Sequence, residues 1–235
     1  CIRDRIKELS ESFNELKEDR HTKVLIISAE GKSFCAGGDL DWMKEQILSD
    51  RQTRIHEARK LADLLYKMYL FPKPLIAQVE GNAFGGGIGI ISVCDVAISN
   101  ENIKLALTET KLGLIPATIS PYVISKIGSS NAIDLFTSAR TFFPPEAKNI
   151  GLIKSFCNKE NIDNVINEEA HFFLVNGPSA VSASKNLVRN LSAKIDEDTI
   201  KFTVEALADV WENPESIEGI NAFFEKRKPN WIMEK

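Results

Sequence analysis

The chain has 235 residues, 43% hydrophobic and 26% charged, with a formal net charge of -4. That length can bury a sizeable core, and the acidic balance gives no reason to expect nucleic acid as a partner. Four scattered cysteines without a Cys-x-x-Cys pair, and three histidines without zinc spacing, supply a metal site or a Ser-His-Asp triad poorly.

Ile2, Ile6, Leu9, Phe13 and Leu16 recur at three- and four-residue steps, predicting an amphipathic helix over the first twenty residues. It reads as a helix entered partway, so residues of the native start are expected to be absent. The opening has none of the character of a secretory signal, and no apolar run reaches the ~20 residues that cross a bilayer. The cysteines accordingly read as reduced, partly buried thiols of an intracellular protein. Residues 22–29 (TKVLIISA) form a β-branched run that predicts a strand buried on both faces. SFCAGGDL follows as a small-residue loop leading into a helix over 41–45.

Between 51 and 70, Ile55, Ala58, Leu61, Ala62, Leu65, Met68 and Tyr69 share one helical face. Pro72 and Pro74 end that helix and launch a second buried strand, PLIAQVEG. A helix entered through Gly85 runs to Val93, DVAIS is a third strand and KLAL a fourth. This alternation argues an α/β core with a parallel sheet. Short helices over 120–128, 131–138 and 145–150 surround one more strand, LIKSFC. From Asn161 onward helical periodicity dominates, broken at Gly177-Pro178 and Asn213-Pro214. The division expected is an α/β core over 1–175 and a helical region over 176–235 that packs on a partner subunit.

Three loops carry the chemistry: CAGGD (35–39), NAFGGG (82–87) and LTETKLGLIP (107–116). Each puts small residues at or just beyond the end of a buried strand, where ligands bind in α/β folds. A phosphate loop is excluded, because no lysine follows Gly85-Gly86-Gly87 and the Gly-x-Gly-x-x-Gly spacing fails from either start. Bare backbone there either permits close helix–strand packing or frees N–H groups for an oxyanion. Glu109 is either a helix-terminal charge or an acid/base group in an apolar wall beside Leu107 and Leu112. Trp42 either borders an acyl pocket or packs in the core. Cys94-Asp95 reads as framework.

These motifs, in this order and spacing, resemble the crotonase superfamily, the enoyl-CoA hydratase/isomerase family. SFCAGGDL resembles its first CoA-binding loop, GNAFGGGIGIISVCDVAIS its second, and LTETKLGLIP its catalytic-glutamate segment. EGINAFFEKRKPNW is similar to its C-terminal signature, so the likeness covers nearly the whole chain. It implies an α/β spiral of repeated strand–strand–helix turns with C-terminal helices completing a CoA pocket, in a homotrimer or dimer of trimers. It also implies that Gly38 and Gly86 donate oxyanion-hole N–H groups and that Glu109 is the catalytic glutamate. Ala36, Asp39 and Leu40 would line the CoA path, Gly85 and Trp42 would adjoin the acyl group, and Phe223 and Lys226 would reach CoA from the C-terminal helix. The basic EKRKP run fits CoA phosphates.

One departure shapes the activity expected. Two-glutamate hydratases carry a second carboxylate where this chain has Gly89. Family isomerases work with one glutamate, but hydratases lacking the second also exist, and the wording here is most similar to the bacterial methylglutaconyl-CoA hydratases. The resemblance therefore implies a cytoplasmic hydratase of a short, branched enoyl-CoA, with no metal and no separate cofactor because CoA is part of the substrate. Δ3,Δ2-enoyl-CoA isomerase is the alternative among enzymes, and a non-catalytic acyl-CoA- or RNA-binding member the alternative outside them. Thr118 and Ser120 are the hydroxyls expected to orient water.

Overall fold

The computed structural model describes residues 2–232. It begins with helix α1 (Ile2–Glu18) and continues through β1 (Leu25–Ile27), β2 (Ser33–Cys35), α2 (Leu40–Leu48) and α3 (Arg51–Tyr69). The next turns are β3 (Leu75–Val79), β4 (Asn82–Phe84) and α4 (Gly86–Val93), then β5 (Val96–Asn100), β6 (Leu105–Ala106) and a 3-10 turn over Glu109–Leu112. Helix α5 (Ser120–Ser138), β7 (Thr141–Phe142), α6 (Pro144–Asn149) and β8 (Ser155–Cys157) follow. The chain closes with α7 (Ile162–Leu174), α8 (Pro178–Leu191), α9 (Glu197–Trp211) and α10 (Pro214–Phe224).

The strands form two four-stranded sheets, ordered β1-β3-β5-β8 and β2-β4-β6-β7. All pairs are parallel except β6–β7. Each of the first three turns lays one strand in each sheet before its helix, the fourth places α6 between β7 and β8, and successive turns stack in register: Leu25 beside Leu75, Ile76 beside Val96, Ile98 beside Ser155. This is the spiral of strand–strand–helix turns expected. Of the second sheet only β6, within KLAL, was legible from residue patterning: SFC and NAF read as loops but form β2 and β4, too short to show a period.

β3 lies inside the first sheet, and all five of its residues are buried. Each fully buried Leu or Ile there is worth about 1.5–3 kcal/mol relative to exposure. Helix α4 packs behind it with Ile88, Ile91 and Val93 buried. The expectation of a strand buried on both faces fails at β1, whose Ile26 is 44% exposed. β1, the edge strand paired only with β3, alternates half-buried, exposed and half-buried residues, so the face that carries Ile26 is open to solvent. Helix α5 is bent at Gly128, where φ is 77°, which matches the break expected between two short helices.

The C-terminal helices behave unequally. Ile200 and Val204 of α9 enter the main core with Ala58 and Ala62 of α3. Trp211 and Ile220 bury with Leu114 in a smaller cluster. The chain also breaks between α8 and α9, where helix was expected to continue. Asp196 caps α9 by accepting a hydrogen bond from the Thr199 amide at 3.0 Å. α8 contributes no buried residue, and its Leu187, Val188 and Leu191 are exposed.

Candidate active site

The three consecutive glycines at the β4–α4 junction have three different surroundings. Gly85 has φ 50° and ψ -113°, a conformation that side chains rarely adopt. A Cβ on it would stand 3.0 Å from Glu109 Oε1, so the bare Cα is what lets that carboxylate approach. Gly86 opens α4 and lines a cavity of about 110 Å³. Gly87 packs on β2, where an added Cβ would meet Cys35 Cβ at 2.6 Å. Close helix–strand packing accounts for Gly87, whereas Gly85 makes room for Glu109 and Gly86 faces the cavity.

Gly37, Gly38, Asp39 and Trp42 border the same cavity from the other small-residue loop. Among the described residues, neither the Gly38 nor the Gly86 amide donates a hydrogen bond. The Gly85 amide, by contrast, is spent on the Ala106 carbonyl at 3.1 Å. Asp39 caps α2 by accepting from the Trp42 amide at 2.7 Å, which fixes where that helix begins and aims Trp42. Trp42 lines the cavity and also packs, meeting Trp211 edge-on with ring centroids 6.1 Å apart. Arg54 backs Trp211 at 5.8 Å and bonds the carbonyls of Gln46, Ile47 and Trp211.

Glu109 starts the 3-10 turn after β6. The residue is partly exposed as a whole, yet its Oε2 is buried with no hydrogen-bond partner. Burial without a neighbouring cation pushes its pKa up to about 7, into the range useful for moving protons at neutral pH. The turn is held from behind by α10. Ser216 Oγ donates to the Gly113 carbonyl at 2.8 Å, and a Cβ on Gly219 would lie 2.5 Å from the backbone of Leu112. Only glycine permits that approach.

The place of a second carboxylate is closed. A Cβ on Gly89 would collide with Ile119 Cγ2 and lie 2.9 Å from Ile119 Cβ. Of the two expected hydroxyls, Thr118 is buried and lines the cavity, whereas Ser120 is not among its walls and donates to the Ala117 carbonyl.

Other expected residues lie further out. Ala36 lines an adjoining groove of about 770 Å³, which shares Gly37, Gly38 and Asp39 with the cavity. The side chain of Leu40 lies outside the described residues. Phe223 is half exposed on α10, and Lys226 follows with φ 54°; neither borders the cavity. Within EKRKP, Arg227 is already paired with Glu218 and Glu225. Asp95 is framework as expected, accepting from the Leu75 amide and pairing with Lys185. Cys94 is buried, its thiol pushed up to about 12. Among the described residues no His/Cys/Asp/Glu group is arranged to hold a metal, and no helix is long and apolar enough to cross a membrane. Larger surface grooves of about 640 and 690 Å³ lie along α8, remote from the glycine loops.

Sequence reasoning missed the cavity's third wall. Glu57, Ala58, Lys60 and Leu61 of α3, with Leu207 of α9 and Ile6 of α1, complete it. The signal available was Glu57 set between Arg54 and Leu61, charges on the apolar stripe of a helix.

Two amides from separate glycine loops that donate no hydrogen bond stand at one cavity, and a desolvated carboxylate lies against Gly85 beside them, the elements that an enzyme acting on a carbonyl compound through an oxyanion requires. The family model for enoyl-CoA hydratase/isomerase matches residues 3–234, and the chain belongs to that family. It is 32% identical over 232 residues to the short-chain-enoyl-CoA hydratase of Clostridium acetobutylicum, covering 96% of this chain and 86% of that one. It is 31% identical over 233 residues to human mitochondrial methylglutaconyl-CoA hydratase, covering 96% and 68%. An enoyl-CoA hydratase structure from Shewanella pealeana superposes with a TM-score of 0.77 at 36% identity, covering 96% and 85%.

Proposed function

We propose that this enzyme adds water across the 2,3-double bond of a short, branched enoyl-CoA resembling 3-methylglutaconyl-CoA. The observation that carries the reading is Glu109, its Oε2 buried and unpartnered, lying against the glycine that precedes Gly86. Glu109 takes a proton from water as the oxygen bonds Cβ, and the π electrons move to the thioester oxygen. The amides of Gly38 and Gly86 hold that enolate oxygen. Glu109 then returns the proton to Cα, which restores its carboxylate. Thr118 orients the water through its hydroxyl.

A cavity of about 110 Å³ is small beside the roughly 300–1,000 Å³ of drug-sized ligand sites, which favours a short acyl group. CoA runs along the groove of Ala36 and Asp39, as part of the substrate and with no separate cofactor. Phe223 and Lys226, which do not border this chain's own cavity, serve CoA on a neighbouring copy. The exposed Phe172, Leu174, Val175, Leu187, Val188, Leu191 and Phe202 support a homotrimer or dimer of trimers, since monomers rarely expose so much apolar surface. The site is taken to work in the cytoplasm, without nucleic acid.

The test is incubation with a panel of enoyl-CoA thioesters, 3-methylglutaconyl-CoA included, in deuterated and in oxygen-labelled water. Loss of the conjugated thioester, deuterium at Cα and labelled oxygen at Cβ are expected, with 3-enoyl-CoA shifted to 2-enoyl-CoA only slowly. Rapid double-bond migration with no hydration of any 2-enoyl-CoA would overturn hydration and make the enzyme an isomerase.

A further inference from the structure

Hydration needs the attacking water held for one line of approach, and one carboxylate that also serves Cα leaves that water short of an acceptor. The family's second carboxylate would stand at Gly89, where Ile119 fills the space. Glu109 is not among the cavity's walls but approaches them through Gly85, and the two carboxylates that do line the cavity are Asp39, committed to the Trp42 amide, and Glu57. Glu57 of α3 borders it together with Gly38, Gly86 and Thr118. Its side chain is 13% exposed, while its ion-pair partner Lys60, 2.6 Å away and also at the cavity, is 44% exposed. An ordinary i,i+3 pair on a helix surface exposes both members. Here the carboxylate is drawn in and the ammonium stays toward solvent. An ionised carboxylate offers acceptor positions only, and Thr118 offers a donor and an acceptor.

We propose that Glu57 is the water-positioning carboxylate of this site, accepting one O–H of the attacking water while Glu109 removes the other proton. The role is supplied from α3 instead of from α4, which is how a chain with glycine at position 89 still hydrates. No extra proton is consumed: Glu57 only accepts a hydrogen bond, the water's second hydrogen remains on the new hydroxyl, and Glu109 carries the transferred proton to Cα. This inference rests on the hydratase reading above.

The experiment compares hydration by wild type, Glu57→Gln and Glu57→Asp on the best 2-enoyl-CoA of the panel. It also follows deuterium exchange at Cα of a saturated acyl-CoA, which uses Glu109 and the two amides but no attacking water. Glu57→Gln is expected to lower hydration kcat by about 100-fold, at the low end of what a positioned proton-handling group contributes. KM, the melting temperature and Cα exchange should stay within about threefold, or a few degrees, of wild type, the pattern of an interaction made only in the transition state. Glu57→Asp, which keeps the charge, should recover most of the loss. Hydration by Glu57→Gln within threefold of wild type would overturn the assignment. So would a parallel fall in exchange, or a loss that aspartate does not recover, because each marks a structural role. If wild type hydrates nothing while Cα exchange proceeds, the hydratase reading itself fails and this inference falls with it.

Discussion

Ile119 occupies the space that a side chain on Gly89 would need, with Leu65 Cδ1 3.5 Å away on the other side. The missing second carboxylate is therefore a packed feature of the core, not an open position awaiting a substitution. Gly89→Ala is expected to destabilise the fold by about 1–3 kcal/mol, the usual cost of overpacking. Thermal or urea melts measure it. Pairing Gly89→Ala with Ile119→Ala should recover much of the loss, whereas additive effects would show that the two side chains do not compete.

Glu109 gives a pH signature in stability as well as in rate. Its pKa lies at about 7 in the fold, above the ordinary carboxyl value of 4.5, because burial penalises the charged form. Such a group contributes stability that is complete below about 4.5 and is lost as pH rises through about 7. Glu109→Gln, which is neutral throughout, should match wild type in melting temperature at pH 4.5. It should gain on wild type progressively up to about pH 7 and hold a constant lead above it.

The same substitution should cut hydration by orders of magnitude while leaving CoA binding nearly intact. In wild type, kcat/KM should fall as pH drops below about 7, since the proton acceptor is then already protonated. Calorimetric CoA titration beside the rate profile separates binding from chemistry. Near-normal turnover by the folded variant would remove Glu109 from the mechanism.

Gly86 stands at the first position of α4, where proline is tolerated because its missing N–H has no intrahelical partner. Gly86→Pro should thus keep the fold and delete one oxyanion donor, costing about 3 kcal/mol in transition-state stabilisation. A melt recorded beside the kinetics checks the first half. Unchanged kcat in folded protein would assign this glycine to packing.

Gly219 is far from the substrate in sequence but touches the turn that carries Glu109. Gly219→Ala drives a methyl into the backbone of Leu112 and should lower both the melting temperature and kcat, with KM less affected. A surface substitution on the same helix, Glu218→Gln, tests stability alone, since it breaks only the Arg227 pair and the Asn230 contact.

How far the fold was legible depended on element length. β3 and α3 announced themselves, the one by an unbroken apolar run after Pro74, the other by a seven-residue stripe. β2, β4 and β7 did not, because two or three residues cannot display a period. Resemblance to a family supplied the spiral that residue patterning lacked. At the site, the glycines and Glu109 were visible as local motifs. Glu57, Thr118 and Leu207 share one cavity only because α3, the segment before α5, and α9 converge there, a relation that no local stretch encodes. The burial of α9 against α3 was hidden for the same reason.

The edge-on contact of Trp42 with Trp211 also gives the protein an optical property. One indole borders the cavity of Gly38 and Gly86, the second is buried behind it against Arg54, and the third, Trp231, lies partly exposed near Gly219. Filling the cavity changes the polarity around Trp42 and leaves Trp231 in its own surroundings. With Trp231→Phe removing the solvent-sensitive background, intrinsic emission becomes a label-free gauge of whether that cavity is occupied, readable in stopped flow before any bond is made.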